Sequence, residues 1–167
     1  RVIEKPMLEL WKRADANCER FFPHEFLYQL IREGWIKDNY QVDPDNSWMI
    51  AAAEKELPIF VPGWEDSTLG NVFVAHLLRG HLKRTDTVRS GTETLSNLAE
   101  WYVRETMGCS LGDLPEIGEE DSHEDVALRA TPQEEAQRTI GFFQIGGGIA
   151  GDFPICVVPM IHQDMRR

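Results

Sequence analysis

The sequence predicts an α/β fold in which helices flank a parallel sheet. Two strand–loop–helix units predict it. In the first, Ile59-Phe60-Val61 reads as a short buried strand, Pro62-Gly63-Trp64-Glu65 turns the chain, and a helix follows from Leu69 to about Leu78. In the second, the largely apolar run Ile140 to Ile145 reads as a buried strand that ends in Gly146-Gly147-Gly148-Ile149-Ala150-Gly151. That is G-x-G-x-x-G directly behind a strand, with a helix expected after it. Glycines let the backbone touch a pyrophosphate, and the next helix would aim its free N–H groups and positive dipole end at it. Glycine clusters also serve as plain turns. The acidic residue that would confirm the fingerprint, about 20 positions downstream, falls past Arg167. Both loops lie at the carboxyl end of their strand, where open α/β sheets bind ligands.

The remaining elements follow in order. Residues 4–34 read as helical, with Met7, Leu8, Leu10 and Trp11 as one apolar stripe. A second helix begins near Pro23, carries Phe26, Leu27, Leu30 and Ile31, and stops at Gly34. Residues 36–46 are a polar connection. Asp45, Asn46 or Ser47 caps a helix from Trp48 to Glu56, which Pro58 ends. Asp66, Ser67 or Thr68 caps the helix of the first unit. Residues 92–107 form an amphipathic helix with Leu95, Leu98, Ala99, Tyr102 and Val103 on one side. Residues 112–138 hold nine acidic residues against two arginines, −7 of the chain's net −11, and read as a solvated, flexible loop. That loop lacks the spacing of a calcium site. A last helix is expected from about Asp152 to Gln163. Pro154 would sit in its first turn and Pro159 would interrupt it.

The 167 residues suffice for one domain with a sizeable core, and the composition is that of a soluble globular protein. A net charge of −11 argues against nucleic acid or an anionic membrane as the main partner. No apolar run is long enough to span a bilayer, and the N-terminus has no signal core, so a cytoplasmic location is expected. Cys18, Cys109 and Cys156 have no metal-ligand spacing and read as reduced, buried thiols; no metal site is expected. The chain begins at Arg1 and stops soon after the glycine loop, as a fragment would.

Two loops therefore hold the candidate site residues, 62–71 and 146–152. Asp66 could hold a ribose hydroxyl or a cationic group, although on the residues alone it reads first as a helix cap. Asn71 and Asp152 have the same alternative, as first-turn residues. Trp64 sits in a candidate ligand loop and could line a pocket, whereas the other tryptophans read as core. His76 and His81 are five apart, which does not place them on one helix face for metal binding.

At these residues the chain resembles the deoxyhypusine synthase family, in its bacterial deoxyhypusine synthase-like branch. The resemblance is carried by Pro58-Ile59-Phe60-Val61-Pro62-Gly63-Trp64-Glu65-Asp66-Ser67-Thr68-Leu69-Gly70-Asn71 and by Ile145-Gly146-Gly147-Gly148-Ile149-Ala150-Gly151-Asp152, with Pro44-Asp45-Asn46-Ser47-Trp48 leading into a helix. It runs over most of 1–110 and 139–167. It implies a Rossmann-like parallel sheet with flanking helices, residues 1–167 being part of one NAD-binding domain, and a cytoplasmic homotetramer with sites shared between subunits. It also implies NAD-dependent aminobutyl transfer from spermidine to an amine, through imines on an active-site lysine. By this resemblance Asp66, Gly146, Gly147 and Gly148 contact NAD and Asn71 and Asp152 lie by the polyamine, with Trp64, from its place in the loop, a candidate for the same substrate pocket.

Three departures bear on the acceptor and on activity. Asn71 stands where eukaryotic members have a polyamine-binding aspartate, and Asp152 stands where they have a histidine. A carboxylate has moved from one loop to the other, which favours a small diamine such as putrescine, giving homospermidine, over a protein lysine. No catalytic residue is expected within this chain: the family's lysine lies beyond Arg167, and its N-terminal NAD-contacting segments are also missing, so this stretch alone is expected to be inactive. Two rival readings are a NAD-binding scaffold without catalysis and a nucleotide-dependent enzyme acting on another amine.

Overall fold

The computed structural model describes residues 2–41, 43–114 and 140–165. It corrects the expected fold class. Among the described residues the chain is helical, with no β-strand and no parallel sheet of the Rossmann type. A single residue pair, Phe21 and Val88, forms an isolated parallel bridge. The chain divides into two compact units, 1–94 and 95–167.

The first unit contains α1 (Glu4–Asn17), α2 (Pro23–Arg32), α3 (Trp48–Glu54) and α4 (Thr68–Leu78), and α5 (Gly91–Met107) begins at its end. Met7, Leu10, Trp11 and Ala14 recur at the spacing of one helix face, and all four are buried. They meet Phe26 and Leu30 of α2, Phe73 of α4, and Trp64, Leu82 and Val88. Phe73 is the centre of an aromatic group, with the Trp11 and Trp64 rings edge-on to it at 5.1 and 5.6 Å. Pro23 opens α2, and the Glu25 carboxylate accepts the Phe22 N–H at 2.6 Å. Ser47 caps α3, its Oγ accepting from the Ile50 N–H at 3.4 Å.

The expected strand at 59–61 is an irregular, half-buried segment. Its apolar side chains serve packing between helices. Ile59 packs with Tyr28, Ala52 and Ala53, and Val61 packs with the main core. The Tyr28 hydroxyl donates to the Leu57 carbonyl at 2.7 Å and anchors the entry to the segment. An apolar run signals burial; a strand also requires a neighbouring strand to take its N–H and C=O groups.

The second unit holds the rest of α5, a short 3-10 turn at Leu111–Asp113, and α6 (Ile149–Pro159). Leu98, Ala99 and Val103 form the buried side of α5, as its periodicity predicts. The expected strand at 140–145 is likewise corrected. It is irregular, and Phe142, Phe143 and Ile145 are exposed, Phe143 at 89%. Helix α6 starts at Ile149 instead of Asp152, and Pro154 and Pro159 lie inside it. Each proline removes a backbone donor. After Pro159 the chain widens into a π turn, Met160–Asp164, closed by the Met165 N–H on the Met160 carbonyl at 3.0 Å. Cys18 and Cys156 are exposed, contrary to the expectation of buried thiols. Of the acidic stretch 112–138, residues 115–138 lie outside the described residues. No described helix is long and apolar enough to cross a membrane.

Candidate functional site

The 62–71 loop is built by its own side chains. Gly63 turns the chain with φ 62°, and a 3-10 turn, Trp64–Asp66, follows. The Asp66 N–H donates to the Gly63 carbonyl at 3.1 Å and the Ser67 N–H to the Trp64 carbonyl at 2.9 Å. Trp64 is 7% exposed and belongs to the core around Phe73. Glu65 accepts the Gly91 N–H at 3.0 Å and ties the loop to the start of α5. Ser67 caps α4, its Oγ accepting from the Gly70 N–H at 3.1 Å. Leu69 packs on the core. Gly70 lies against the loop so closely that a Cβ there would sit 2.6 Å from the Trp64 and Glu65 carbonyl oxygens. Only glycine fits without moving backbone.

Those tasks leave Asp66 over. Because Ser67 takes the cap, the Asp66 carboxylate is exposed and has no side-chain partner among the described residues. Asn71, in the first turn of α4, is also exposed. Two groups on one loop can thus meet a ligand. Two surface clefts in the first unit lie elsewhere. One, of about 490 Å³, is lined by Val2, Lys5, Pro6, Leu8, Glu9 and Trp35. The other, of about 340 Å³, includes His24, Tyr28, Arg32 and Glu56. There the His24 ring stacks on Phe22 and meets Tyr28 edge-on, and burial lowers its pKa to about 4.

In the second unit the glycine loop stands directly before α6, so a helix does follow it. Gly146 and Gly148 have φ 101° and 56°, and Gly148 is the N-cap position, where no side chain caps the helix. A Cβ on Gly147 or Gly148 would meet nothing within 4 Å. The loop is held by the Gln144 side-chain amide, which donates to the Gly146 carbonyl at 2.8 Å. Asp152 lies in the first turn of α6 and is exposed. The structure places Trp64, Asp66 and Asn71 in the first unit, and Gly146, Gly147, Gly148 and Asp152 in the second.

One pair escapes helix-face reasoning. Helix α4 ends in a Schellman motif: the Gly80 N–H donates to the Leu77 carbonyl and the His81 N–H to the His76 carbonyl, both at 2.9 Å, with Gly80 at φ 73°. This fold-back carries His81 over His76, and their Nδ1 atoms are 2.8 Å apart. The signal was present in sequence as histidines flanking a glycine at the third-last helical and second post-cap positions, His76-Leu77-Leu78-Arg79-Gly80-His81. His76 is 5% exposed, and its Nε2 faces Glu4 Oε1 at 3.6 Å. Burial, then the neighbouring His81, lowers its pKa, against the pull of Glu4. No group of three or more His, Cys, Asp or Glu among the described residues could hold a metal ion.

Comparison of the chain with protein-family profiles, curated proteins and solved structures found no match.

Proposed function

We propose that this chain carries cofactor- and polyamine-contacting loops of an NAD-dependent aminobutyltransferase of the deoxyhypusine synthase type, with spermidine as donor and a small diamine as the preferred acceptor. The observation that carries the reading is Asp66. Trp64, Glu65, Ser67, Leu69 and Gly70 each have a structural task in the 62–71 motif. Asp66 has none and points its charge at solvent. A free carboxylate accepts hydrogen bonds from the adjacent hydroxyls of a ribose, the role that the resemblance assigns to it.

The glycine loop of the second unit, taken by itself, suits a phosphate group. The glycine loop leaves open space above Gly147 and Gly148, and α6 starts without a side-chain cap. Backbone N–H groups at such a helix start attract a pyrophosphate. When bound, NAD supplies a hydride acceptor for a carbon beside a polyamine nitrogen. By the resemblance, the Asn71 amide in the first unit and the Asp152 carboxylate in the second are each acceptors suited to an ammonium group. Imine chemistry needs an amine nucleophile, which in the family that the chain resembles is a lysine. The exposed Phe142, Phe143, Ile145 and Ile155 give the chain apolar surface that self-association into a tetramer would cover.

The test is a mass-spectrometric product assay with NAD, spermidine and putrescine, on the 167-residue chain and on any longer protein from the same reading frame. NAD bound by the chain, and homospermidine from a form that carries the family's lysine, are the expected results. Absence of both NAD binding and NAD-dependent product would overturn the proposal. NAD bound without any product would favour the scaffold reading.

A further inference from the structure

We propose that the cleft between α2 and the end of α3 binds a free α-amino acid with an apolar or aromatic side chain. The cleft measures about 340 Å³. That is the small end of ligand pockets, which run about 300–1,000 Å³, and it suits a one-ring metabolite instead of a dinucleotide. None of its residues belongs to the 62–71 or 146–152 motifs.

Phe21, Tyr28, Leu57 and Pro58 give the cleft apolar and aromatic walls. The Tyr28 hydroxyl donates to the Leu57 carbonyl at 2.7 Å and fixes two of them together. The His24 ring adds a further wall, edge-on to Tyr28 at 5.4 Å. Burial lowers its pKa to about 4, so the ring is uncharged at neutral pH. Glu25 accepts from the Phe22 N–H, and Gln29 accepts from Arg13. Arg32 and Glu56 are the charged lining groups that remain. They form a pair, Arg32 Nη2 donating to Glu56 Oε1 at 2.9 Å, and both side chains are at least half exposed. Arg32 Nη2 also reaches the Ala53 carbonyl. The other guanidinium nitrogens and Glu56 Oε2 have no hydrogen-bond partner among the described residues. A free amino acid has the matching head: its carboxylate accepts from the guanidinium and its ammonium donates to Glu56. A simple amine would meet the Arg32 charge without compensation, and a simple acid would meet that of Glu56. The guanidinium stands over the Tyr28 ring at 5.7 Å, which holds it in place before binding.

The backbone gives an independent sign. Helix α3 closes in a Schellman motif, the Leu57 N–H on the Ala52 carbonyl at 3.0 Å and the Glu56 N–H on the Ala53 carbonyl at 3.4 Å. This sets Glu56 at φ 51°, a left-handed position where glycine is least strained. Glutamate there costs stability and brings a carboxylate to the cleft, and such strain gathers at ligand sites.

The test is NMR titration of the 167-residue chain with L-phenylalanine and L-leucine, and with phenethylamine and 3-phenylpropanoate, which lack the carboxylate and the ammonium group. Saturable shifts of the His24 ring and the Leu57 amide are expected with the amino acids, and each truncated analogue should bind about tenfold more weakly than L-phenylalanine. Arg32→Gln should weaken L-phenylalanine binding about tenfold. Glu56→Gly should weaken it as much while raising the melting temperature, since it removes the carboxylate and the strain together. No saturable shift with either amino acid up to about 10 mM would overturn the proposal. So would an analogue bound as tightly as L-phenylalanine, or unchanged binding in Glu56→Gly. A melting temperature lowered by that substitution would give Glu56 a structural task and would also overturn it.

Discussion

The two motif loops, 62–71 and 146–152, both set glycines beside carboxylates, yet their surroundings differ. The first is surrounded by packed groups: Trp64 enters the core, Glu65 binds the Gly91 N–H, and Gly70 touches backbone carbonyls. The second has open space around Gly147 and Gly148, and the residues before it are exposed. Where a loop is packed, the side chains without a packing or capping task stand out by elimination, here Asp66 and Asn71. Where a loop is open, as around Gly147 and Gly148, no side chain is singled out in this way.

The largest expected effect separates the loops by their glycines. Gly70→Ala places a methyl group 2.6 Å from two carbonyl oxygens and should cost about 3 kcal/mol or more. Gly147→Ala meets nothing within 4 Å and should stay within about 0.5 kcal/mol of wild type. Urea unfolding of both variants would measure the difference, and equal losses would break the comparison.

Acid should reach the packed unit through His24. Its folded-state pKa, about 4, lies below the usual 6.5, so the neutral ring is the form that the fold accepts. Its contribution is complete above pH 6.5 and is lost as pH falls from there through about 4. The stability lost is on the order of 3 kcal/mol. Lowered His76 adds a loss in the same direction. His24→Gln should flatten the slope of unfolding free energy between pH 6.5 and 4.5; a slope unchanged by the substitution would contradict this source.

Smaller effects sharpen the roles within the first loop. Ser67→Ala removes the cap of α4 and should cost about 1 kcal/mol. The smallest change is expected in the open loop. Phe143→Ser should leave monomer stability within about 0.5 kcal/mol, while lowering any concentration-dependent mass seen by light scattering.

Helix periodicity carried the sequence reading well. Met7, Leu10 and Trp11 of the expected stripe, the Pro23 start of α2, the Ser47 and Ser67 caps and the span of α5 follow from side-chain spacing and local hydrogen bonding, which are properties of a few neighbouring residues. The sheet did not follow. Ile59-Phe60-Val61 is apolar because it lies between two helical clusters, and Ile140–Ile145 is apolar although Phe142, Phe143 and Ile145 are exposed. Composition cannot distinguish those cases from a strand, since pairing depends on distant residues. Three candidates for the α4 cap were open from sequence, and a single hydrogen bond chose Ser67. The His76–His81 pair was missed because side-chain facing was judged from a continuous helix, whereas Gly80 folds the chain back.

Asp66 can be tested apart from every structural role around it. Calorimetric titration of NAD into the wild-type chain and into Asp66→Asn, with melting temperature measured alongside, asks whether this carboxylate serves the ligand or the fold. The account predicts NAD binding by the wild type, a loss of about tenfold or more in Asp66→Asn, and an unchanged melting temperature. Equal NAD affinity in the two proteins, or a melting temperature lowered as far as in Ser67→Ala, would contradict it.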